Sequence, residues 1–258
     1  MRKLVFFLLL AFVGLVPVSS QVYFAEKIDE DLLKGRVKQV EEFMARFNYE
    51  EDWLGQRVEN PADSLMRQKY LHTLFDYFRF RQDDGRLTAL AEQFIQDVMR
   101  NDYRIHYSDT TWMALVRCKA SVNGRSYGLE LRLRPQQMAP HEYHWIIAEA
   151  DGPLFAPPAR SAVRPSISPM EHEIGFTGLL SLPAKREMDV SLLFPSGFEP
   201  DNLSMLAFLL KSGMLTFTAI DDVSFLFLSV PGYAFLIERV ERRDSYNTGW
   251  LITSLSKL

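Results

Sequence analysis

The stretch ALVRCKASVNGRSYGLELRL, residues 114–133, decides the fold class of this chain. Asn123-Gly124 at its centre is the strongest short hairpin signal, because both central residues of a type I′ turn need positive φ and Asn and Gly tolerate it. A two-residue loop fixes the register. Ala120 then faces Tyr127, Cys118 faces Leu129, Val116 faces Leu131 and Ala114 faces Leu133, while Arg117 faces Glu130 on the other side. One face is apolar and the other charged, and a slip of one residue would expose the whole apolar row. Tyr143 to Ala150 reads as a further strand with Trp145 and Ile147 on one side.

Upstream, the period is helical. Asp29 caps a first helix with apolar positions Leu33, Val37, Val40, Met44 and Phe47. Asn60 at the N-cap, Pro61 at the first helical position and Asp63 in the first turn open a second, which runs through Leu65, Tyr70, Leu74, Tyr77 and Phe78 to Asp83-Asp84-Gly85. A third carries the stripe Leu87, Leu90, Ala91, Phe94, Ile95 and Val98 and ends at Asn101-Asp102.

Downstream, prolines 153, 157, 158, 165 and 169 make residues 152–169 a linker, since they remove the donors that a helix or central strand needs. The plan then repeats in shorter form. Asp201 caps a helix to Lys211, and strands are expected over Leu215 to Ile220, Val223 to Val230, Tyr233 to Arg242 and Trp250 to Leu255. Pro231-Gly232 suits a type II turn, which fits strand twist poorly, so a loop longer than two residues is expected there. The strand Val223 to Val230 is apolar on both faces. Either the chain covers both, or another subunit does.

The N-terminus carries a different signal. Arg2 and Lys3 precede the apolar run Leu4 to Val16, then Pro17 and Val18-Ser19-Ser20. This is the pattern of a secretory signal peptide, residues 1–20, with the cut between Ser20 and Gln21. Its apolar run is too short for a spanning helix, so no membrane span is expected after cleavage. The reading places the protein in the periplasm or at the cell surface.

Of 29 basic residues Arg2 and Lys3 lie ahead of the cut, which leaves 27 against 33 acidic ones, a net charge of −6. With basic and acidic residues interleaved, a nucleic-acid partner is not expected. Cys118 is the single cysteine, so no intramolecular disulfide can form and stability must come from packing.

The order of three helices followed by an antiparallel sheet resembles the NTF2-like, or cystatin-like, α+β cone. The fold class expected is therefore α+β, with helices packed on a curved antiparallel sheet and two related halves: residues 21–151 as an NTF2-like domain, and 170–258 as a smaller second half. The phrases Arg36-Val37-Lys38-Gln39-Val40-Glu41-Glu42-Phe43 and Asn247-Thr248-Gly249-Trp250-Leu251-Ile252 resemble those of uncharacterised exported proteins of Gram-negative bacteria. This resemblance carries no catalytic residue across, because the fold hosts isomerases, dehydratases, secretion components and binding modules alike.

Candidate chemistry is sparse. His141, His144 and His172, with Glu142, Glu171 and Glu173, form the His-rich neighbourhood, but three-residue spacing on a strand puts His141 and His144 on opposite faces, and no metal site is expected. Cys118 falls on the apolar row and reads as a core residue rather than a nucleophile. Tyr103, His106, Tyr107, Asp109 and Trp112 enter the sheet together, where a cone opens, and are the candidate pocket for a small apolar ligand. Arg79 with Arg81, and Arg239 with Arg242 and Arg243, are basic clusters at element ends, which a helix dipole alone can favour. Val223, Phe225, Phe227 and Leu236 are the candidate interface for an envelope protein or a second copy of the chain.

The chain has no Gly-rich phosphate loop, G-x-S-x-G elbow or paired-cysteine motif, and no cofactor is expected. The favoured reading is a non-catalytic binding or assembly module of the bacterial envelope. The alternative is a cofactor-free NTF2-like enzyme performing acid–base chemistry on a small apolar substrate. The exported protein should begin at Gln21. N-terminal sequencing checks this, and a mature chain that retains residues 1–20 refutes it.

Overall fold

The computed structural model describes residues 40–52, 54–139, 142–156, 194, 195, 198, 200–243 and 245–258. The expected signal peptide, the start of the first helix, most of the 152–169 linker, and His141 and His172 lie outside them. The fold is α+β. Helix α1 covers 40–48. It is followed by α2 Ser64–Thr73, α3 Tyr77–Phe80, α4 Ala89–Arg100, β1 Trp112–Val122, β2 Arg125–Ala139, β3 Glu142–Asp151, α5 Asn202–Lys211, β4 Leu215–Phe227, β5 Tyr233–Val240 and β6 Gly249–Lys257. The strands form one six-stranded antiparallel sheet in the order β3-β2-β1-β4-β5-β6. Two compact units divide the chain, the first running to Tyr107 with Arg239–Ile252, the second Ser108–Glu238 with Thr253–Leu258.

In the second unit the 123–124 turn forms as its chemistry demands, with φ of 51° at Asn123 and 76° at Gly124. All five expected cross-strand pairs are present, Arg117 with Glu130 among them. Helix α5 covers the apolar face. Leu206 is buried on Cys118, Ala120, Val122, Leu129, Leu131, Ala150 and Leu215. Asp201 caps this helix as expected, its carboxylate accepting from Ser204 N at 2.9 Å.

The two strands expected over 215–230 are one strand. Against β1, β4 carries two irregularities, at Arg117/Cys118 and Lys119/Ala120, which leave Asp221 and Thr218 without opposite residues. Each is a bulge that adds one residue to β4 without ending the ladder. Asp221 and Asp222, which lie between the two expected strands, pair with Lys119 at 3.2 Å and Arg117 at 2.6 Å. Five residues, 228–232, connect β4 to β5, and Gly232 at φ 78° takes the position that a type II turn reserves for glycine.

In the first unit, Phe43, Phe47, Phe75, Phe80 and Phe94 form an aromatic core under α1 and α4. The third helix keeps its expected stripe, with Ala91, Phe94, Ile95 and Val98 buried. The second helix departs from expectation twice. Its N-cap is Asp63, which accepts from Met66 N at 3.0 Å, while Asn60 only accepts from Ala62 N in the turn before. It also breaks into α2 and α3, because Leu74 to Asp76 leave the helical ladder to bond residue 252. Ile252 N donates to Leu74 O at 2.7 Å, and Asp76 N donates to Ile252 O at 3.0 Å.

Side chains seal the break. Asn247 donates to Phe75 O at 2.9 Å and accepts from Tyr77 N at 2.9 Å. Asp76, only 3% exposed, accepts from Phe78 N at 2.9 Å and from Arg242 at 2.6 Å. Such a pair costs little net free energy when complete and much when one partner is lost. Asp76→Ala should therefore destabilise the protein by about 3–5 kcal/mol, Asp63→Ala by ~1 kcal/mol, and Asn60→Ala by less than Asp63→Ala. Urea unfolding followed by circular dichroism gives the order, and an equal loss at Asn60 and Asp63 would return the cap to Asn60.

Candidate binding groove

A groove of about 600 Å³ lies in the first unit, built from the end of α1, the loop after it and the segment before Ser108. Helix α1 stops at Tyr49, whose φ of 60° turns the chain out of the helix, and Glu50 N closes the turn on Ala45 O at 2.8 Å. The chain then doubles back. Asp52 Oδ1 accepts from Leu54 N and Gln56 N, both at 2.8 Å, and Val58 N returns to Glu50 O at 2.9 Å.

Asn48 fixes the opposite wall. Its amide donates to Ile105 O at 2.9 Å and accepts from Ile105 N at 3.0 Å, so a side chain completes both backbone bonds of a residue 57 positions away. Arg104 donates to the Asn48 carbonyl at 3.1 Å. Buried Met44 and Ile105 give the groove an apolar floor, and Glu41, Glu42, Glu50 and Glu51 line it with carboxylates. His106 and Tyr107 complete the wall. A smaller recess of about 190 Å³ shares Glu42 and Glu51 and adds Arg46 and Arg239. Burial pushes the Arg46 guanidinium down from its usual value, and the nearby Glu42 and Glu51 carboxylates pull it back up. The groove therefore suits a group that is cationic at one end and apolar at the other.

No protein-family model, curated protein or solved structure matches this chain.

Of the residues expected to form a pocket, His106 and Tyr107 line this groove. Tyr103 is not among its lining, and its carbonyl accepts from Arg67. Asp109 and Trp112 belong to the second unit, where Trp112 is fully buried, stacked on Phe227 at 5.6 Å and edge-on to Trp145 at 5.1 Å. Val223, Phe225 and Phe227 are buried there as well, and Leu236 is half-buried. Helix periodicity marked only the apolar face of α1. The four glutamates sit on or beside its polar face, which reads as ordinary solvated surface, and only the adjacent pairs Glu41-Glu42 and Glu50-Glu51 hint at more.

Among the described residues no group of histidine, cysteine and carboxylate side chains is arranged to hold a metal. His144 meets Glu142 at 3.0 Å on an exposed strand face. Cys118 is buried in the apolar row, and burial, with Asp221 nearby, pushes its thiol up to about 11. At pH 8 that leaves about 0.1% thiolate. In the native protein Cys118 should therefore react with a thiol reagent such as DTNB no faster than the chain unfolds, and at full rate in denaturant; rapid native labelling would return it to the candidate nucleophiles.

Proposed function

We propose that this chain is an exported binding module of the bacterial envelope, in the periplasm or at the cell surface, that holds a cationic, partly apolar ligand in the α1 groove. The observation that carries this reading is the pairing of an apolar Met44–Ile105 floor with the carboxylates Glu41, Glu42, Glu50 and Glu51 in one groove. Among the described residues no helix is long and apolar enough to cross a membrane.

We also propose a finer reading of the fold. An NTF2-like, cystatin-like ancestry with two related halves is supported by the element order, helix then three-stranded meander twice over, and by a strand order symmetric about the β1/β4 pair.

The alternative enzyme reading is kept by His106, which shares the groove with glutamates and could move a proton. Native mass spectrometry of the mature protein purified from the periplasm separates the readings. A small basic adduct is expected on the wild type, and Glu42→Lys with Glu51→Lys should remove it. A clean mass without adduct, unaltered by those substitutions, overturns the ligand reading. An adduct that is chemically altered on incubation with the wild type, and unaltered with His106→Ala, restores the enzyme.

A further inference from the structure

Helix α5 has more apolar surface than its own unit covers. Seven of its ten residues, Asn202 to Lys211, are apolar, and Leu206 alone among them is buried. A helix that is apolar nearly all round is ordinarily covered on both sides. Ser204, Ala207, Phe208 and Lys211 are exposed and stand at the three- and four-residue spacings of a single helix face. Phe208 is 64% exposed, and Leu210, Met214 and Phe217, towards the C-terminal end, are each more than a third exposed. The two ends of this face carry opposite charge. At the N-terminal end the hydroxyl and N–H of Ser204 bond the Asp201 carboxylate at 2.6 and 2.9 Å and hold it below the usual carboxylate range, so it stays charged. Asp201 also borders a recess of about 360 Å³ whose described lining sets Glu130, Glu149, Asp151 and Asp201 against the single cation Arg132, already paired with Glu149. At the C-terminal end stands Lys211, which takes part in no ion pair among the described residues.

We propose that this face of α5 docks a second copy of the chain, the two helices antiparallel about a two-fold axis between Ala207 and Phe208. Packing about that point is self-complementary in size and in charge, as a two-fold interface must be. Each Phe208 ring meets the small Ala207 of the other copy. Each Lys211 comes opposite Ser204 of the other copy and within one turn of its Asp201, at the acidic end. The helix dipoles are then opposed, which favours the same orientation. A parallel pair would set like charges together, and a bilayer would have to bury Asp201 and Lys211 for the sake of a few half-covered side chains, so the second copy is the occupant that satisfies both ends. A helix of ten residues is only about 15 Å long, a short contact against what a stable interface buries, and the dimer is therefore weak and reversible. The face lies wholly in the second unit and does not rest on the α1 groove.

Sedimentation equilibrium of the full mature chain over a wide range of concentration tests the proposal. A reversible monomer–dimer equilibrium is expected, weakened by salt because opposite charges meet. Phe208→Ser should weaken it about tenfold and leave the melting curve unchanged, since the ring is exposed. Lys211→Glu should weaken it about fivefold, and salt should then strengthen the dimer by screening like charges. Orientation is read separately. On oxidation a mixture of Ser204→Cys and Lys211→Cys should give a disulfide-linked heterodimer, with Cys118 buried and uninvolved. Neither variant alone should link to itself, because its two sulfurs would stand about 10 Å apart along the helix axis. A chain that stays monomeric at every concentration, a dimer that Phe208→Ser leaves intact, or linkage of Lys211→Cys to itself in preference to the mixed pair would overturn the proposal. A monomer that sediments with phosphatidylcholine vesicles, and is released by Phe208→Ser, would overturn it in favour of a lipid surface.

Discussion

Both edges of β1 are occupied, and most of the second unit depends on that. One edge is taken by β2 through a turn of two residues, a closure that costs little entropy because the partners are adjacent. The other is taken by β4, about a hundred residues further on, and this pairing must accept whatever register the hairpin has set. The mismatch appears where that order of constraint predicts, in β4 and not in the hairpin. Thr218 and Asp221 bulge out, and the β1–β2 ladder runs from Ala114 to Val122 without a shift. A fixed β1 register then decides the two faces. Cys118, Ala120 and Val122 go under α5, and Arg117 stands between Glu130 and Asp222 on the open side.

The hairpin was legible because everything that determines it lies within twenty residues: a turn that needs positive φ at two positions and an alternation that agrees with it. The stripe of α4 was legible for the same reason. The break between α2 and α3 was not, since its cause is Ile252 and Asn247, about 170 residues distant, and the local pattern through Tyr77 and Phe78 continues the helical period across it. The cap was misplaced for a subtler reason. Asn60, Pro61 and Asp63 all carry helix-start chemistry within four residues, and the preference for proline at the first helical position pointed to Asn60, whereas the chain spends Pro61 in a preceding turn and caps with Asp63.

The groove was half legible. His106 and Tyr107 were singled out as aromatic and ionisable residues at a sheet entrance, and both line it. Their expected companion Trp112 is instead a packing residue: its indole stacks with Phe227, which stacks in turn on Phe235 at 5.0 Å. A large aromatic beside polar residues reads the same in sequence whether it borders a ligand or fills a core, and only the neighbours distinguish the two.

Polar clamps do in the first unit what the ladder does in the second. Asn48 holds Ile105, Asn247 holds Phe75 and Tyr77, and Arg67 holds Asp102 and the Tyr103 carbonyl, each tying a buried side chain to backbone or charge far away in sequence. Arg67 shows the cost of such a tie. Its Nε is buried without a hydrogen bond, and burial, with Arg104 beside it, pulls its guanidinium below the usual value, while Asp102 opposes the shift. A clamp that leaves one donor unpaired is tolerated where the two remaining bonds fix a segment that no sheet or long helix can hold. The 103–107 segment is such a case, gripped by Arg67 at Tyr103 and by Asn48 at Ile105 immediately before it presents His106 and Tyr107 to the groove. The wall of the groove is thus set by residues that never face it.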